Sequence, residues 1–250
     1  MNFYLVLPTK YSSIEDSRYK LFLKTIKTCL HHSYITKVVV VDSSENKVLN
    51  HMKILLNNSK IDLIVLKDFS YLKGGGIREG IKYVNDKYGK NNVIVFQEPE
   101  KENMIYHYLD ILEKYKNEKS YICIPKRVSE AFDSYPIEQQ YEEKFLNCYL
   151  TKLTGLKIDW SFGPVMFTGD LSEYWLNYDG KLWDAQIIPI YEAMKNDIKI
   201  YSEAVCFFYP KSQKEKEEDN LEFIEKRRYQ LNYMVEFMID YMKKGNLKFD

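Results

Sequence analysis

The chain has 250 residues, of which 45% are hydrophobic and 29% are charged. This length and composition fit one globular domain and exclude a disordered chain, a collagen-like fibre and a small disulfide-rich protein. Lysine plus arginine and aspartate plus glutamate each number 36, so the formal net charge is zero. Such a balance provides no overall attraction to nucleic acid, and we expect no nucleic-acid partner.

The sequence has no membrane or export signal that hydropathy can detect. No stretch approaches the roughly 20 consecutive apolar residues that a membrane-spanning helix needs, and the first residues lack the basic flank of a signal peptide. The four cysteines are scattered without a Cys-x-x-Cys pair, which predicts reduced, buried thiols. These features predict a soluble, cytoplasmic protein.

Short β-branched runs alternate with segments of helical period in the first half of the chain. The predicted strands cover residues 3–7, 37–41, 61–66, 93–96 and 121–124, and the predicted helices cover residues 17–30, 47–57, 76–88 and 103–116. This alternation is typical of a doubly wound, mostly parallel α/β sheet. Ligands bind such sheets at the carboxyl ends of the strands.

The alternation stops after about residue 126. Helices are predicted over 137–153 and 183–195, strands over 163–168 and 199–208, a charged linker or helix start over 211–219, and a long last helix over 221–244. We therefore divide the chain into a first half (1–125), a second half of the same domain (126–210), and a linker with a C-terminal helix (211–250).

Polar clusters follow the predicted strands at the edge where a ligand would bind. Asp42 and Ser43 follow the second strand, and a glycine run flanked by Lys73 and Arg78 opens the third helix. Glycine allows close backbone approach, and free amides at a helix N-terminus suit a phosphate group. A flexible turn explains the same run equally well. The glycines of this run are Gly74, Gly75 and Gly76.

The segment Glu98-Pro99-Glu100 follows a wholly apolar strand. Alternation along an extended backbone places both carboxylates on one side, and the fixed φ of Pro99 resists helix formation. Two carboxylates aimed together can hold a divalent cation and leave positions open for waters and a diphosphate. The alternative is a solvated acidic turn in which Lys101 is the ion-pair partner.

The order of these motifs resembles the nucleotide-diphosphosugar transferases of the GT-A fold, particularly the family 2-like glycosyltransferases. The resemblance covers about residues 1–210 and includes Pro8 and Thr9 after the first strand. It implies that a nucleotide-diphosphate sugar is the partner, with residues 1–125 as the nucleotide-sugar-binding half and residues 126–210 as the acceptor-side half of the same domain. The residues that would contact its nucleotide are Pro8, Thr9, Asp42, Ser43, Lys73, Gly74, Gly75, Gly76 and Arg78.

The same resemblance implies that Glu98 and Glu100 hold Mn²⁺ or Mg²⁺ on the diphosphate, in the place of the family's Asp-x-Asp pair. This chain has Glu-x-Glu within a Glu-Pro-Glu-Lys sequence, as in a divergent branch. The longer side chains would move the cation or weaken its binding.

The second half of the chain supplies candidates for the sugar or acceptor side. Arg127 is a candidate anion clamp, and Gln139 and Glu143 lie one helical turn apart on one face of a predicted helix. Gly163 and Pro164 form a backbone hinge beside aromatic residues. A solvated helix face is the alternative interpretation of the polar stripe.

Asp184 stands at the start of a helix whose other side is apolar. The resemblance implies that this acid is the general base of an inverting enzyme, which removes a proton from the acceptor hydroxyl. The alternative is a first-turn carboxylate that satisfies helix amides. The acceptor itself, whether glycan, lipid or protein, is not identified by the sequence.

Two other functions use the same fold. A sugar nucleotidyltransferase predicts a basic loop after the first strand, whereas residues 9–16 contain a single lysine and no arginine. A catalytically silent nucleotide- or sugar-binding module predicts binding without turnover. The last helix carries two apolar stripes, which indicate either packing on the domain or a contact to a second copy or a membrane surface.

Overall fold

The computed structural model describes residues 2–66 and 73–245. Their strands are β1 (Asn2–Thr9), β2 (Lys37–Asp42), β3 (Ile61–Val65), β4 (Asn92–Phe96), β5 (Ile122–Arg127), β6 (Val165–Thr168) and β7 (Ile200–Val205). The longer helices are α1 (Ser17–His31), α2 (Asn46–Leu55), α3 (Lys73–Tyr88), α4 (Ile105–Tyr115), α6 (Ile137–Thr154), α8 (Asp184–Lys195) and α10 (Leu221–Gly245). Short helices α5 (Ser129–Phe132), α7 (Glu173–Leu176) and α9 (Lys211–Glu217) lie between them.

The described strands form one seven-stranded sheet in the order β3-β2-β1-β4-β6-β5-β7. Only β6 runs antiparallel to its neighbours among these strands, and the other pairs are parallel. The predicted mostly parallel α/β architecture is therefore confirmed. Because β6 lies between β4 and β5, the sheet runs through both predicted halves of the chain.

Both faces of the sheet are covered, which explains the continuous apolar runs of its strands. In β1, Leu5 and Leu7 belong to one core cluster, whereas Tyr4 and Val6 belong to the cluster on the opposite face. All four side chains are buried. Because helices cover both faces, a ligand can reach the parallel strands at their carboxyl ends. The candidate site lies at these ends.

The charged segment over residues 211–219 is more ordered than a linker, because it contains helix α9. Its Glu217 is buried and accepts hydrogen bonds from Tyr209 and Gln213. Two cysteines also differ from the prediction. Cys29 and Cys123 are buried, but Cys148 and Cys206 are exposed because they lie on an outward face of α6 and just after the edge strand β7.

Helix α10 packs against α6 and α8. Met234 and Met238 are buried in this contact, and Tyr233 stacks on Phe237 while its ring edge meets Trp183. Packing on the domain therefore covers part of both apolar stripes, whereas Tyr229 and Phe237 are exposed. A contact to a second copy or to a membrane surface stays a prediction. In the described ranges, no helix combines the length and apolar character that crossing a bilayer requires.

Helix α3 approaches β1 closely at Gly80. A Cβ there would stand 2.3 Å from Val6 Cγ1 and 3.1 Å from Val41 Cγ2. Alanine normally favours a helix by about 1 kcal/mol over glycine, but here its methyl group would overpack the core. We expect Gly80→Ala to lower the free energy of unfolding by about 1–3 kcal/mol in chemical denaturation. Lys82→Ala, exposed on the same helix, is the control, and unchanged stability of Gly80→Ala would contradict this close approach.

Candidate active site

A first cavity of about 230 Å³ opens at the carboxyl ends of β1, β2 and β4. The ends of these strands and the start of α3 contribute to its wall. Arg18 and Tyr11, which the sequence analysis did not select, also line it. Predicted site residues on this wall are Pro8, Thr9, Ser43, Lys73, Gly76, Glu98 and Glu100.

A second cavity of about 190 Å³ adjoins the first. The two share Arg18, Lys73, Glu98 and Glu100, so these four side chains form their boundary. Of the predicted acceptor residues, Gln139 and Glu143 line the second cavity. Its remaining wall combines aromatic rings with polar and charged side chains, including Tyr135, Phe162, Trp183, Phe207, Tyr209, Gln213, Glu217, Lys226, Arg227 and Gln230.

Two lysines meet the carboxylate of Glu98 at the boundary. Lys73 donates a hydrogen bond to Glu98 Oε1, and Lys101 Nζ lies 3.7 Å from Glu98 Oε2. Burial would raise the pKa of Glu98, but the two ammonium groups lower it to about 2. Burial also lowers the pKa of Lys101 to about 8, against the opposing effect of Glu98. The carboxylate is therefore ionised and already neutralised by cations of the chain.

Gly163 is required by the position of Glu98. Its φ is +104°, and a Cβ at this residue would stand 2.3 Å from Glu98 Oε2. Gly163 and the buried Pro164 were predicted to face sugar or acceptor, but neither lines the two cavities. Because Gly163 has no side chain, its backbone can lie directly beside the Glu98 carboxylate.

Glu100 lines both cavities and forms no side-chain hydrogen bond or ion pair with the described residues. Burial raises its pKa to about 6, while the nearby Arg18 opposes that shift. The two glutamates of the Glu-Pro-Glu segment thus differ in environment. One is paired with lysines, and the other is an acid available to a ligand.

This donor set does not fit the predicted Mn²⁺ or Mg²⁺ with the side chains as they stand. A divalent cation on Glu98 would face the ammonium groups of Lys73 and Lys101, which repel it. Over residues 2–66 and 73–245, no group of three or more His, Cys, Asp or Glu side chains is arranged to hold a metal. The cation stays a prediction from the family resemblance, and we derive no step through it.

Asp42 lies behind the first cavity rather than on its wall. The side chain is buried, and Oδ1 accepts hydrogen bonds from Thr9 Oγ1 at 2.7 Å and Ser44 Oγ at 2.6 Å. Asp42 therefore positions the loops after β1 and β2. Thr9 and Ser43, by contrast, lie on the wall of this cavity.

The glycine run lies within the first turn of α3 and packs against other parts of the protein. A Cβ on Gly74 would stand 2.1 Å from the Gly180 carbonyl oxygen, and the Gly74 amide already donates to the Lys181 carbonyl at 2.9 Å. Gly75 is buried as well. Arg78 Nη1 donates to the Tyr178 carbonyl at 3.2 Å. Only Gly76 of the run and the preceding Lys73 reach the first cavity.

Arg127 is committed to the protein interior. Its Nε donates to Asp159 Oδ2 at 2.8 Å, and its Nη1 lies 2.7 Å from Glu143 Oε2. The rings of Phe132 and Tyr135 flank the guanidinium, and the side chain is 1% exposed. The predicted anion clamp is thus an internal ion pair that does not line either cavity.

Asp184 is buried and accepts hydrogen bonds from four directions. Oδ1 accepts from the Leu182 amide at 2.8 Å and Tyr233 OH at 2.9 Å, and Oδ2 accepts from Tyr178 OH at 3.0 Å and the Lys181 amide at 3.3 Å. The carboxylate does not line either cavity. It joins α8, the preceding loop and α10, and the two amides that it accepts from lie before the helix rather than in its first turn.

Several residues on the cavity walls escaped the sequence analysis. Lys101 stood in the Glu-Pro-Glu-Lys segment but received no site role, although its position directly after the acidic pair was a usable signal. Arg18 lies on α1, and Lys226, Arg227 and Gln230 lie on α10. No local pattern places the first turns of α10 near the end of β4, so the tertiary structure was needed to find them.

Comparison with known proteins identifies the fold. No protein-family model and no curated protein matches the sequence. A glucosyl-3-phosphoglycerate synthase from M. tuberculosis is structurally similar with a TM-score of 0.58 and 10% identity, over 96% of this chain and 80% of that one.

Two further solved structures cover most of both chains. A 4-diphosphocytidyl-2C-methyl-D-erythritol synthase from Anaerococcus prevotii has a TM-score of 0.53 and 13% identity, over 92% of this chain and 96% of its own. A nucleotide-diphospho-sugar transferase from Desulfovibrio desulfuricans has a TM-score of 0.50 and 8% identity, over 94% of this chain and 99% of its own. At these identities the likeness establishes the GT-A-like fold.

Asp184→Asn tests the structural role of this carboxylate. The amide nitrogen of asparagine would face donors that Asp184 now accepts from, and each unmatched buried donor costs about 1–3 kcal/mol. We expect the free energy of unfolding to fall by about 2 kcal/mol or more in urea denaturation. Asp240→Asn on the exposed side of α10 is the control. Equal stability of the two variants would count against the anchoring role.

Asp159 makes the free energy of unfolding depend on pH. Burial would raise its pKa, but Arg127 and other donors lower it to about 2, against an ordinary value of 3.8. The resulting stabilisation, about 2 kcal/mol, is present above the ordinary pKa and is lost as the pH falls through the lowered one. Denaturation of wild type and Asp159→Asn from about pH 5 to about pH 2 should show their difference shrinking. Asp133→Asn, which alters an exposed carboxylate, is the control.

Proposed function

We propose that this protein is a glycosyltransferase that moves a sugar from a nucleotide-diphosphate donor to an acceptor hydroxyl. The observation that carries the proposal is the pair of adjoining cavities at the carboxyl edge of the sheet, with Lys73, Glu98 and Glu100 on their boundary. A transfer reaction needs two bound partners that meet at one reacting centre. Two cavities with a shared charged wall provide that arrangement.

The first cavity suits the nucleotide. Its wall combines apolar surface from Val41 and Leu66 with the hydroxyls of Thr9 and Ser43 and the ring of Tyr11. An apolar slot with a few polar groups is the usual form of a small-molecule site. The second cavity suits sugar and acceptor, because aromatic rings such as Trp183 offer stacking surfaces beside amide and carboxylate side chains.

The reaction would proceed at the boundary. The acceptor oxygen forms a bond to the anomeric carbon while the bond from that carbon to the β-phosphate oxygen breaks, and the bonding electrons leave with the phosphate. The acceptor proton passes to a carboxylate. Asp184 was predicted for this step, but its hydrogen bonds and its absence from both cavity walls favour Glu100, which borders both cavities.

A nucleotidyltransferase on the same fold is the second candidate. Lys10 and Arg18 line the first cavity, so the basic surface next to β1 is larger than residues 9–16 alone indicated. Such an enzyme would use a nucleoside triphosphate and release pyrophosphate. The glycosyltransferase would instead release a nucleoside diphosphate from a nucleotide sugar. The predicted cytoplasmic location is compatible with both reactions.

Nucleotide binding and product release test the proposal on the purified full chain. At a hundred times its dissociation constant, a bound nucleotide sugar should add about 2.7 kcal/mol of stability, or about 5 °C or more in thermal melting. We expect one base among UDP-, GDP-, dTDP- and CDP-sugars to give this shift, and release of its diphosphate with an acceptor panel. Release of pyrophosphate from a nucleoside triphosphate would instead indicate that the enzyme is a nucleotidyltransferase. Binding without consumption would indicate the silent binding module.

Gln139→Ala separates the two cavities in the same assay. Of the two cavities, Gln139 lines only the second, and its Oε1 is buried without a hydrogen-bond partner in the described part of the chain. The variant should keep the nucleotide-induced melting shift and raise the acceptor KM by about tenfold. Tyr141→Ala, which alters an exposed position on the same helix, is the control. Loss of the nucleotide shift in Gln139→Ala alone would contradict the assignment of the cavities.

A further inference from the structure

Two lysines flank the carboxylate of Glu98 at the boundary between the cavities, and Glu100, the second acid of this boundary, forms no ion pair with either lysine. Glu98 is the only acid that the structure records within ion-pair distance of Lys73 or Lys101, among the residues it describes. Two ammonium groups around one carboxylate leave one positive charge unbalanced by that acid. Arg18 borders the same two cavities, although Asp16 already pairs with it at 2.9 Å.

Both ammonium groups are held in place before any ligand arrives. Lys73 Nζ donates to Gln186 Oε1 at 3.1 Å in addition to Glu98. Lys101 Nζ donates to the Phe162 carbonyl at 2.7 Å and lies 4.3 Å from the centre of the Phe162 ring. Fixing a long lysine side chain costs conformational entropy. These contacts order both lysine side chains in the free protein. A ligand would therefore bind to cations that are already oriented.

The same groups remain accessible. The side chains of Lys73 and Lys101 are 20% and 16% exposed, and both lie on the wall of the second cavity. Lys73 also lies on the wall of the first. A diphosphate that extends from the nucleotide cavity toward the boundary would therefore pass the ammonium groups. Lysine is a strong point-charge ligand for phosphate oxygens.

We propose that Lys73 and Lys101 bind the donor diphosphate and stabilise the negative charge of the leaving group, so that nucleotide binding needs no divalent cation. This inference rests on the proposed function of the two cavities. Glu98 is then a positioning residue, which holds both ammonium groups on its carboxylate. Gly163 supports the arrangement because any side chain there would displace Glu98. The charge that a metal supplies in related sites is supplied here by the chain itself.

Calorimetric titration with UDP, CDP, GDP and ADP, each with EDTA and then with excess MgCl₂ or MnCl₂, tests the inference. We expect the nucleotide that binds to do so in EDTA with a Kd within about threefold of its value with metal. Binding that appears only with Mg²⁺ or Mn²⁺ would overturn this inference while leaving the proposed function intact. Failure of every nucleotide to bind under all conditions would overturn both.

Charge-removing variants supply an independent readout. Lys73→Gln and Lys101→Gln should each raise the Kd of the nucleoside diphosphate in EDTA by about tenfold or more. They should leave the Kd of the corresponding nucleoside unchanged, because it carries no phosphate. Lys82→Gln, on the exposed side of the same helix as Lys73, should bind like wild type.

Folding defects are separated from charge loss by conservative replacements. Lys73→Arg and Lys101→Arg keep the charge and should retain more diphosphate affinity than the glutamine variants at matched melting temperature. Glutamine variants that melt like wild type and bind the diphosphate as tightly as wild type would overturn the inference. An equal loss for nucleoside and nucleoside diphosphate would also overturn it, since that result indicates a general change of the cavity.

Discussion

The carboxylate of Glu98 is the interaction on which the site depends. It follows β4, accepts a hydrogen bond from the first residue of α3, lies beside Lys101 and rests on the backbone at Gly163. Sheet, helix and the turn before β6 are thus joined by one acid. A buried carboxylate is costly unless cations and donors compensate it. The compensation by two lysines brings positive charge to the place where two cavities meet.

Two other buried charged groups, Arg127 and Asp184, are also compensated by partners of opposite charge or by hydrogen-bond donors, but they do not line the two cavities. Arg127 is enclosed by Asp159, Glu143 and aromatic rings, and Asp184 has donors on both carboxylate oxygens. Such groups are fully satisfied inside the protein, so they hold elements together and have little capacity left for a ligand. Glu100 lacks such partners among the described residues and borders both cavities. Partial satisfaction, rather than residue type, separates the candidate ligand-binding groups from the structural ones.

The strands were predictable because each is buried on both faces and is therefore a continuous apolar run. The predicted strand over 37–41 corresponds to β2 (Lys37–Asp42), and that over 93–96 corresponds to β4 (Asn92–Phe96). The insertion of β6 between β4 and β5 was not predictable, since strand order depends on contacts between distant segments. Helix α9 lies in the segment predicted as a charged linker or helix start, but its charge pattern gave no sign that Glu217 is buried with Tyr209 and Arg227 as partners.

The sequence by itself determined the α/β class and the position of the site at the strand ends, because hydrophobic period and strand-end chemistry are local properties. It also selected Thr9, Ser43, Lys73, Glu98 and Glu100, which the fold brings to one edge. Only the tertiary structure decided how the charges pair. It engaged Arg127, Arg78 and Asp184 in hydrogen bonds within the protein, and it added Lys73 to Lys101 as a partner of Glu98. Ion pairs form between side chains that are distant in the sequence and adjacent in the fold. The electrostatic energy of a buried charged group is therefore set by these neighbours and not by its position in the sequence.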